Sequence, residues 1–223
     1  MGGVLVDLLV PVKPLARAKT RLRGAAGGGA GAPEAHARLV LALARDTLAA
    51  AADAAAVRRA VAICSDEVVR TALAMDGVEV ILDEPAAGLN PALRYGEAVL
   101  RGPNPDTPLG ALQADLPALR PEELDCAVRA GLATGARAFC TDRTGTGTTL
   151  LLAPPGQPLQ PCFGPGSAAA HRATGARELP GRWPGLRCDV DTAADLAVAR
   201  GLGLGRFTRA ALPGPELGEV TSR

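Results

Sequence analysis

Residues 4–23 read VLVDLLVPVKPLARAKTRLR, an apolar run followed by a basic loop. The first nine residues form a near-continuous apolar run, the mark of a strand covered on both faces. Pro11 and Pro14 end the run and force a loop. That loop carries Lys13, Arg17, Lys19, Arg21 and Arg23. Of the 24 basic residues in the chain, 22 are Arg, and both lysines stand here. In a chain so biased toward Arg, two retained lysines suggest a site needing a compact ammonium rather than a planar fork. Chance retention on a solvated turn is the alternative, and both readings stay open at this point.

Outward from this strand, helix and strand patterns alternate. Residues 34–56 read as a long Ala/Leu helix, and residues 60–64 as a buried strand ending at Ser65-Asp66. A helix over 67–75 and a strand over 78–82 follow. Asn90-Pro91 predicts a helix start, with Asn90 as N-cap and Pro91 at the first helical position. A strand over 108–114 leads into Asp115-Leu116-Pro117, and a helix covers 121–132. Strands over 136–140 and 148–153 flank TDRTGTG; a helix opens at Gly166-Ser167; a short strand is expected over 186–189. Thr192 to Asp195 reads as a capping box for the last strong helix. Residues 24–33, GAAGGGAGAP, lack the GK[ST] ending of a phosphate loop and the GxGxxG spacing of a dinucleotide site, so they read as a linker. The tail over 212–223 is expected to fray. The alternation predicts one α/β domain over residues 1–223, with a mostly parallel sheet and helices on both faces.

Composition sets outer limits. The chain has 223 residues, of which 45 are Ala, 27 Gly and 19 Pro, with five aromatics: Tyr95, Phe139, Phe163, Trp183 and Phe207. An apolar content of 48% excludes disorder as the whole story. A formal net charge of +1 gives no bulk electrostatic case for nucleic acid. No apolar run approaches the roughly 18 residues of a membrane span, and the opening residues lack the basic region of a secretory signal, so a cytoplasmic protein is expected. Five widely spaced cysteines without CxxC spacing read as free thiols.

In a parallel sheet, ligands bind beyond the carboxyl ends of the strands. The polar residues expected there are Lys13, Ser65, Asp66, Asp83, Asn90, Asp115, residues 141–148, Asp189 and Asp191. Asp189 and Asp191 share a face if extended. With Asp115 they offer hard oxygens suited to Mg²⁺; singly, Asp115 also reads as a turn residue and Asp191 as an N-cap. Lys13, Lys19 and Arg21 would place cations over the same edge, as nucleotidyl transfer from a triphosphate requires. Gly164 to Ser167 at a helix start and Gly145 to Thr148 are small-residue loops suited to phosphate or carboxylate. His171, four residues after Ser167, reads as a surface residue of that helix or as a further ligand contact; His36 reads as structural. No GxSxG elbow appears, so a hydrolase triad is not expected.

Seven segments carry a resemblance: KPLARAKTRL, Ser65-Asp66, GLNPAL, QADLPAL, DRTGTGTTLL, FGPGSAAAH and DVDTAADL. In this order they resemble the guanylyltransferases of coenzyme F420 biosynthesis, across nearly the whole chain. The resemblance implies a three-layer α/β/α sandwich with a mixed, mostly parallel sheet, a Rossmann-like nucleotidyltransferase fold similar to glycosyltransferase-A sheets. It implies transfer of GMP from GTP to the phosphate of phosphoenolpyruvate or 2-phospho-L-lactate. The product would be enolpyruvoyl- or lactyl-2-diphospho-5'-guanosine, passed on to the next transferase. Residue by residue, it implies Asp115, Asp189 and Asp191 as Mg²⁺ ligands. Thr148, Gly164 and Ser167 would contact the acid, and Lys13, Lys19 and Arg21 the triphosphate. Asp66 and Asn90 would lie on the guanosine side, with Lys13. The GTGTT form of the 145–149 loop is similar to the phosphoenolpyruvate branch. A non-catalytic nucleotide-binding module and another nucleotidyltransferase or glycosyltransferase are the rival readings.

Overall fold

Strand β1, Val6–Pro11, is buried on both faces, as its apolar run requires. Leu8 and Val10 pack in one core cluster, and Leu9 packs in another on the opposite side. The computed structural model describes residues 4–15, 22, 33–83, 87–102 and 104–212. The helices are α1 (Pro33–Ala52), α2 (Glu67–Met75), α3 (Leu89–Arg101), α4 (Pro121–Ala133), α5 (Ser167–Ala173), α6 (Ala193–Leu202) and α7 (Arg206–Ala211). The further strands are β2 (Val57–Cys64), β3 (Glu79–Leu82), β4 (Leu109–Leu112), β5 (Ala138–Thr141), β6 (Thr148–Ala153) and β7 (Arg177–Glu178).

The seven strands form one sheet in the order β3-β2-β1-β4-β6-β5-β7. β1 to β4 are parallel, β6 runs antiparallel between β4 and β5, and β7 is parallel to β5. Residues from α1, α2 and α4 bury Leu8 and Val10 on one face. Residues from α3 and α5 bury Leu9, Val61 and Ile63 on the other, completing the three layers. Each fully buried leucine of this kind contributes about 1.5–3 kcal/mol. Gly96 sets the distance of α3 from the sheet: a Cβ there would come within 2.6 Å of Ile63 Cδ1 and 3.0 Å of Leu9 Cδ2.

Asp7 breaks the apolar run of β1 yet is fully buried. Arg58 grips its carboxylate with two bonds of 2.7 and 2.6 Å, and Arg59 adds a third at 3.0 Å. These groups lie at the amino ends of β1 and β2, the far edge from Lys13. The expected capping box is present: Thr192 Oγ1 accepts from Asp195 N, and Asp195 accepts from Thr192 N. Asp191 is therefore not the N-cap of α6.

Three expectations need correction. Asn90 does not cap α3; Gly88 holds that position and frees the Asn90 side chain for tertiary bonds. Residues 186–189 form no strand; a turn closed by Arg187 N to Trp183 O and Cys188 N to Gly185 O leads into a segment whose Val190 N donates to Asp115 O at 3.0 Å. The outermost strand is instead β7. Helix α7 was not expected from GLGLGRFTRA; it is held by Asp46 of α1, which accepts from Phe207 N at 2.9 Å and Thr208 N at 2.7 Å. Residues 24–32 of the glycine-rich stretch, and 213–223 of the tail, lie outside the described residues. Among the described residues no helix is long and apolar enough to cross a membrane, and the five cysteines are free.

Candidate active site

The carboxyl ends of β1 to β5 share one edge of the sheet. Because β6 is antiparallel, its first residue, Thr148, arrives at the same edge. Thr148 pairs with Thr141 at the end of β5, and Gln113 N donates to Thr149 O at 2.9 Å beyond β4. The strand alternation alone did not reveal this reversal.

Lys13 stands exposed just past β1. It lines a cleft of about 510 Å³ with Ser65, Asp83, Gly88 and Leu89. It also lines a smaller hollow with Gln113, Ala114 and Asp115. Lys13 thus joins the ends of β2 and β3 to the end of β4. Lys19 and Arg21 lie outside the described residues. The bond from Val190 N to Asp115 O lays the Asp189–Asp191 segment beside Asp115. Asp189 is half-buried and Asp191 exposed.

Asp66 and Asn90 are structural clasps. Asp66 caps α2 through Val68 N and Val69 N, and its other oxygen accepts from Leu15 N at 3.0 Å. It thereby pins the loop after β1. Asn90 makes two bonds to the Phe163 backbone: Nδ2 donates to Phe163 O at 2.9 Å, and Oδ1 accepts from Phe163 N at 2.8 Å. It ties the Phe163-Gly164 loop to the start of α3. These bonds engage both oxygens of Asp66 and both the oxygen and the nitrogen of the Asn90 amide.

The two small-residue loops meet. Ala168 N donates to Thr146 O at 3.1 Å, and Ser167, 2% exposed, opens α5 beside them. Gly164 and Gly166 have φ of 140° and 72°, a region that a side chain would strain. His171 is not a surface residue: it is fully buried, with its ring against Phe139 and Phe163. Burial, aided by the Arg137 charge, lowers its pKa to about 4. Arg187, which sequence reasoning missed, donates to Leu179 O at 2.8 Å and to the Thr141 backbone and hydroxyl, holding the 181–188 segment on β5. Asp195 is bonded by Arg143 at 2.8 Å. Burial would raise its pKa, but the Thr192 and Arg143 bonds outweigh burial and hold it low.

Among the described residues no three His, Cys, Asp or Glu side chains converge as a metal cluster. The three-carboxylate set expected from sequence is therefore not preassembled. Mg²⁺ needs less: one or two carboxylates, with phosphates and waters completing six positions. The adjoining Asp115 and Asp189–Asp191 segments supply hard oxygens at the edge where Lys13 stands, and that donor set fits.

The fold is shared with solved nucleotidyltransferases at low identity. A nucleotidyl transferase from Methanothermobacter matches with a TM-score of 0.58 and 14% identity, over 93% of this chain and 100% of that one. A 4-diphosphocytidyl-2C-methyl-D-erythritol synthase from Anaerococcus prevotii matches at 0.60 and 7%, over 89% and 95%. No family model matches the sequence. Fold and relatives together define a nucleotidyltransferase. Phosphoenolpyruvate guanylyltransferase of Streptomyces avermitilis is 48% identical over 215 residues, covering 94% of this chain and 97% of that protein. That of Thermomonospora curvata is 48% identical over 221 residues, covering 97% and 94%. The chain belongs to the phosphoenolpyruvate guanylyltransferase family.

Proposed function

We propose that this chain transfers GMP from GTP to the phosphate of phosphoenolpyruvate. The observation that carries this reading is the 48% identity, over almost the full chain, to relatives named for that reaction. A phosphate oxygen of the acid attacks the α-phosphorus of GTP in line. One P–O bond forms, the α–β bridging bond breaks, and pyrophosphate leaves with the electron pair. The nucleophile is already an anion, so no general base is required. The work of the site is to hold two anions together against their repulsion and to stabilise charge on the leaving group.

In this reading Lys13, with Lys19 and Arg21 of the same loop, grips the triphosphate. Asp115, Asp189 and Asp191 offer the oxygens for Mg²⁺, which when bound neutralises phosphate charge. Thr148, Gly164 and Ser167 receive the acid, beside the meeting point of their loops. Asp66 and Asn90 serve by fixing the two loops they clasp. The product is an activated diphosphate, enolpyruvoyl-2-diphospho-5'-guanosine. In coenzyme F420 biosynthesis, in the cytoplasm, a following transferase would consume it. Pyrophosphate release with Mg²⁺ is the test, run over GTP, ATP, CTP and UTP against phosphoenolpyruvate and 2-phospho-L-lactate. Release is expected with GTP and phosphoenolpyruvate together and not with either alone. Faster release with 2-phospho-L-lactate would overturn the acid, and faster release with another nucleotide would overturn the base.

A further inference from the structure

His171 is a fully buried imidazole for which the reaction has no proton to move, yet both of its nitrogens are engaged. Nε2 lies 2.9 Å from Cys162 N, and a backbone N–H can only donate. Nε2 is therefore the bare acceptor nitrogen, and the ring proton resides on Nδ1. Nδ1 lies 2.9 Å from Thr148 Oγ1, so the ring donates and the hydroxyl oxygen accepts. The Thr148 O–H hydrogen must then point away from the imidazole. Among the described residues it meets no acceptor, although Thr148 is only 5% exposed. Thr148 stands at the carboxyl edge, beside the loops of Gly145 to Gly147 and Gly164 to Ser167. An anionic oxygen reaching Thr148 Oγ1 would complete the chain Cys162 N–H, His171, Thr148 O–H.

We infer that His171 is a positioning residue that sets the Thr148 hydroxyl as a directed donor toward a phosphate or carboxylate oxygen of the acid substrate. The inference rests on the reading of Thr148 as an acid contact. The ring touches no substrate. It acts by occupying the acceptor side of the hydroxyl and by keeping a single tautomer. Protonation of Nε2 would set two donors face to face at Cys162, so the device works only with a neutral ring. The low pKa, about 4, agrees with that geometry.

Two measurements test it. The first is ¹⁵N NMR of the histidine rings in the full chain at neutral pH, with the His171 signals assigned by their loss in a His171 variant. A neutral Nδ1–H ring is expected. An Nε2–H ring or an imidazolium would overturn the inference, whatever reaction the protein catalyses. The second is initial-rate kinetics. His171→Leu should raise KM for phosphoenolpyruvate about tenfold or more, the scale of losing a directed bond to a charged group, with KM for GTP unchanged. His171→Asn, which keeps an N–H near the Nδ1 position, should recover part of that loss. Thr148→Val should show the same split, and adding His171→Leu to it should cost little more. KM values rising together for both substrates, or additive losses in the double variant, would overturn the inference. If His171→Leu does not fold, Thr148→Val against Thr148→Ser, together with the tautomer, decides. Wild-type protein that makes no product from GTP and the acid would instead overturn the proposed reaction, leaving the tautomer result to stand alone.

Discussion

Asp7 and Asp115 are acidic residues at opposite edges of the sheet, Asp7 within β1 and Asp115 three residues past the end of β4. Asp7, at the amino end of β1, is fully buried and gripped by Arg58 and Arg59. Asp7→Asn should lower stability by about 1–3 kcal/mol, read from denaturant unfolding, because the three bonds from Arg58 and Arg59 lose their carboxylate charge. Activity of the folded fraction should change little, since this pair lies at the far edge. Asp115, beyond β4, shares its hollow with Lys13. Asp115→Ala should lower kcat by about 100-fold or more, the scale of removing a preorganised charge at a phosphoryl centre, while the thermal transition barely moves. A near-normal kcat would remove Asp115 from the machinery. The His171 ring makes a third expectation at this scale. Burial, with Arg137, sets its folded pKa near 4, against 6.5 for a free imidazole. Between those values the unfolded chain binds a proton that the folded chain excludes. Stability from this group is full above about pH 6.5 and is lost as the pH falls toward 4. Denaturant midpoints measured across that window should decline on acidification. The Asp195 contribution is lost at lower pH, below the ordinary carboxylate range.

At the scale of elements, the clasps matter more than the strands. Asn90 joins the start of α3 to the Phe163-Gly164 loop through two bonds. Asn90→Ala should cost about 1–3 kcal/mol and raise KM for the acid, because the Gly164 loop loses its tether. A rise confined to KM for GTP would instead support the guanosine role expected from sequence. Both lone elements that escaped the sequence reading are explained by tertiary bonds. Helix α7 has six residues and weak periodicity, and it forms because Asp46, 161 and 162 positions away, accepts its first N–H groups. Strand β7 has two residues, and no pattern marks it. Residues 186–189 have strand-like composition but form no ladder with any strand of the described residues; next to them Val190 N bonds to Asp115 O. Side-chain role was harder to read than element type. Asn90 before Pro91 has the local signature of a cap, and only the approach of Phe163 redirects it. His171 falls on the same helix face as Ser167, and nothing in its spacing tells a buried face from an exposed one.

For the molecule as a whole, the apolar runs made the layered α/β fold legible, and the fold made the edge of the candidate site legible. Eight residues singled out from sequence, Lys13, Asp66, Asn90, Asp115, Thr148, Gly164, Ser167 and Asp189, occupy or brace that edge. The antiparallel β6 was not legible, because alternation does not give strand direction; yet it is what delivers Thr148 to the edge. One isotope experiment follows the nucleotidyl transfer itself. GTP labelled in its α-phosphate is incubated with phosphoenolpyruvate, Mg²⁺ and the full chain, and the label is followed. The label is expected in a diphosphate joining guanosine to the acid, with unlabelled pyrophosphate released. Label found only in GMP, GDP or unchanged GTP would contradict that transfer.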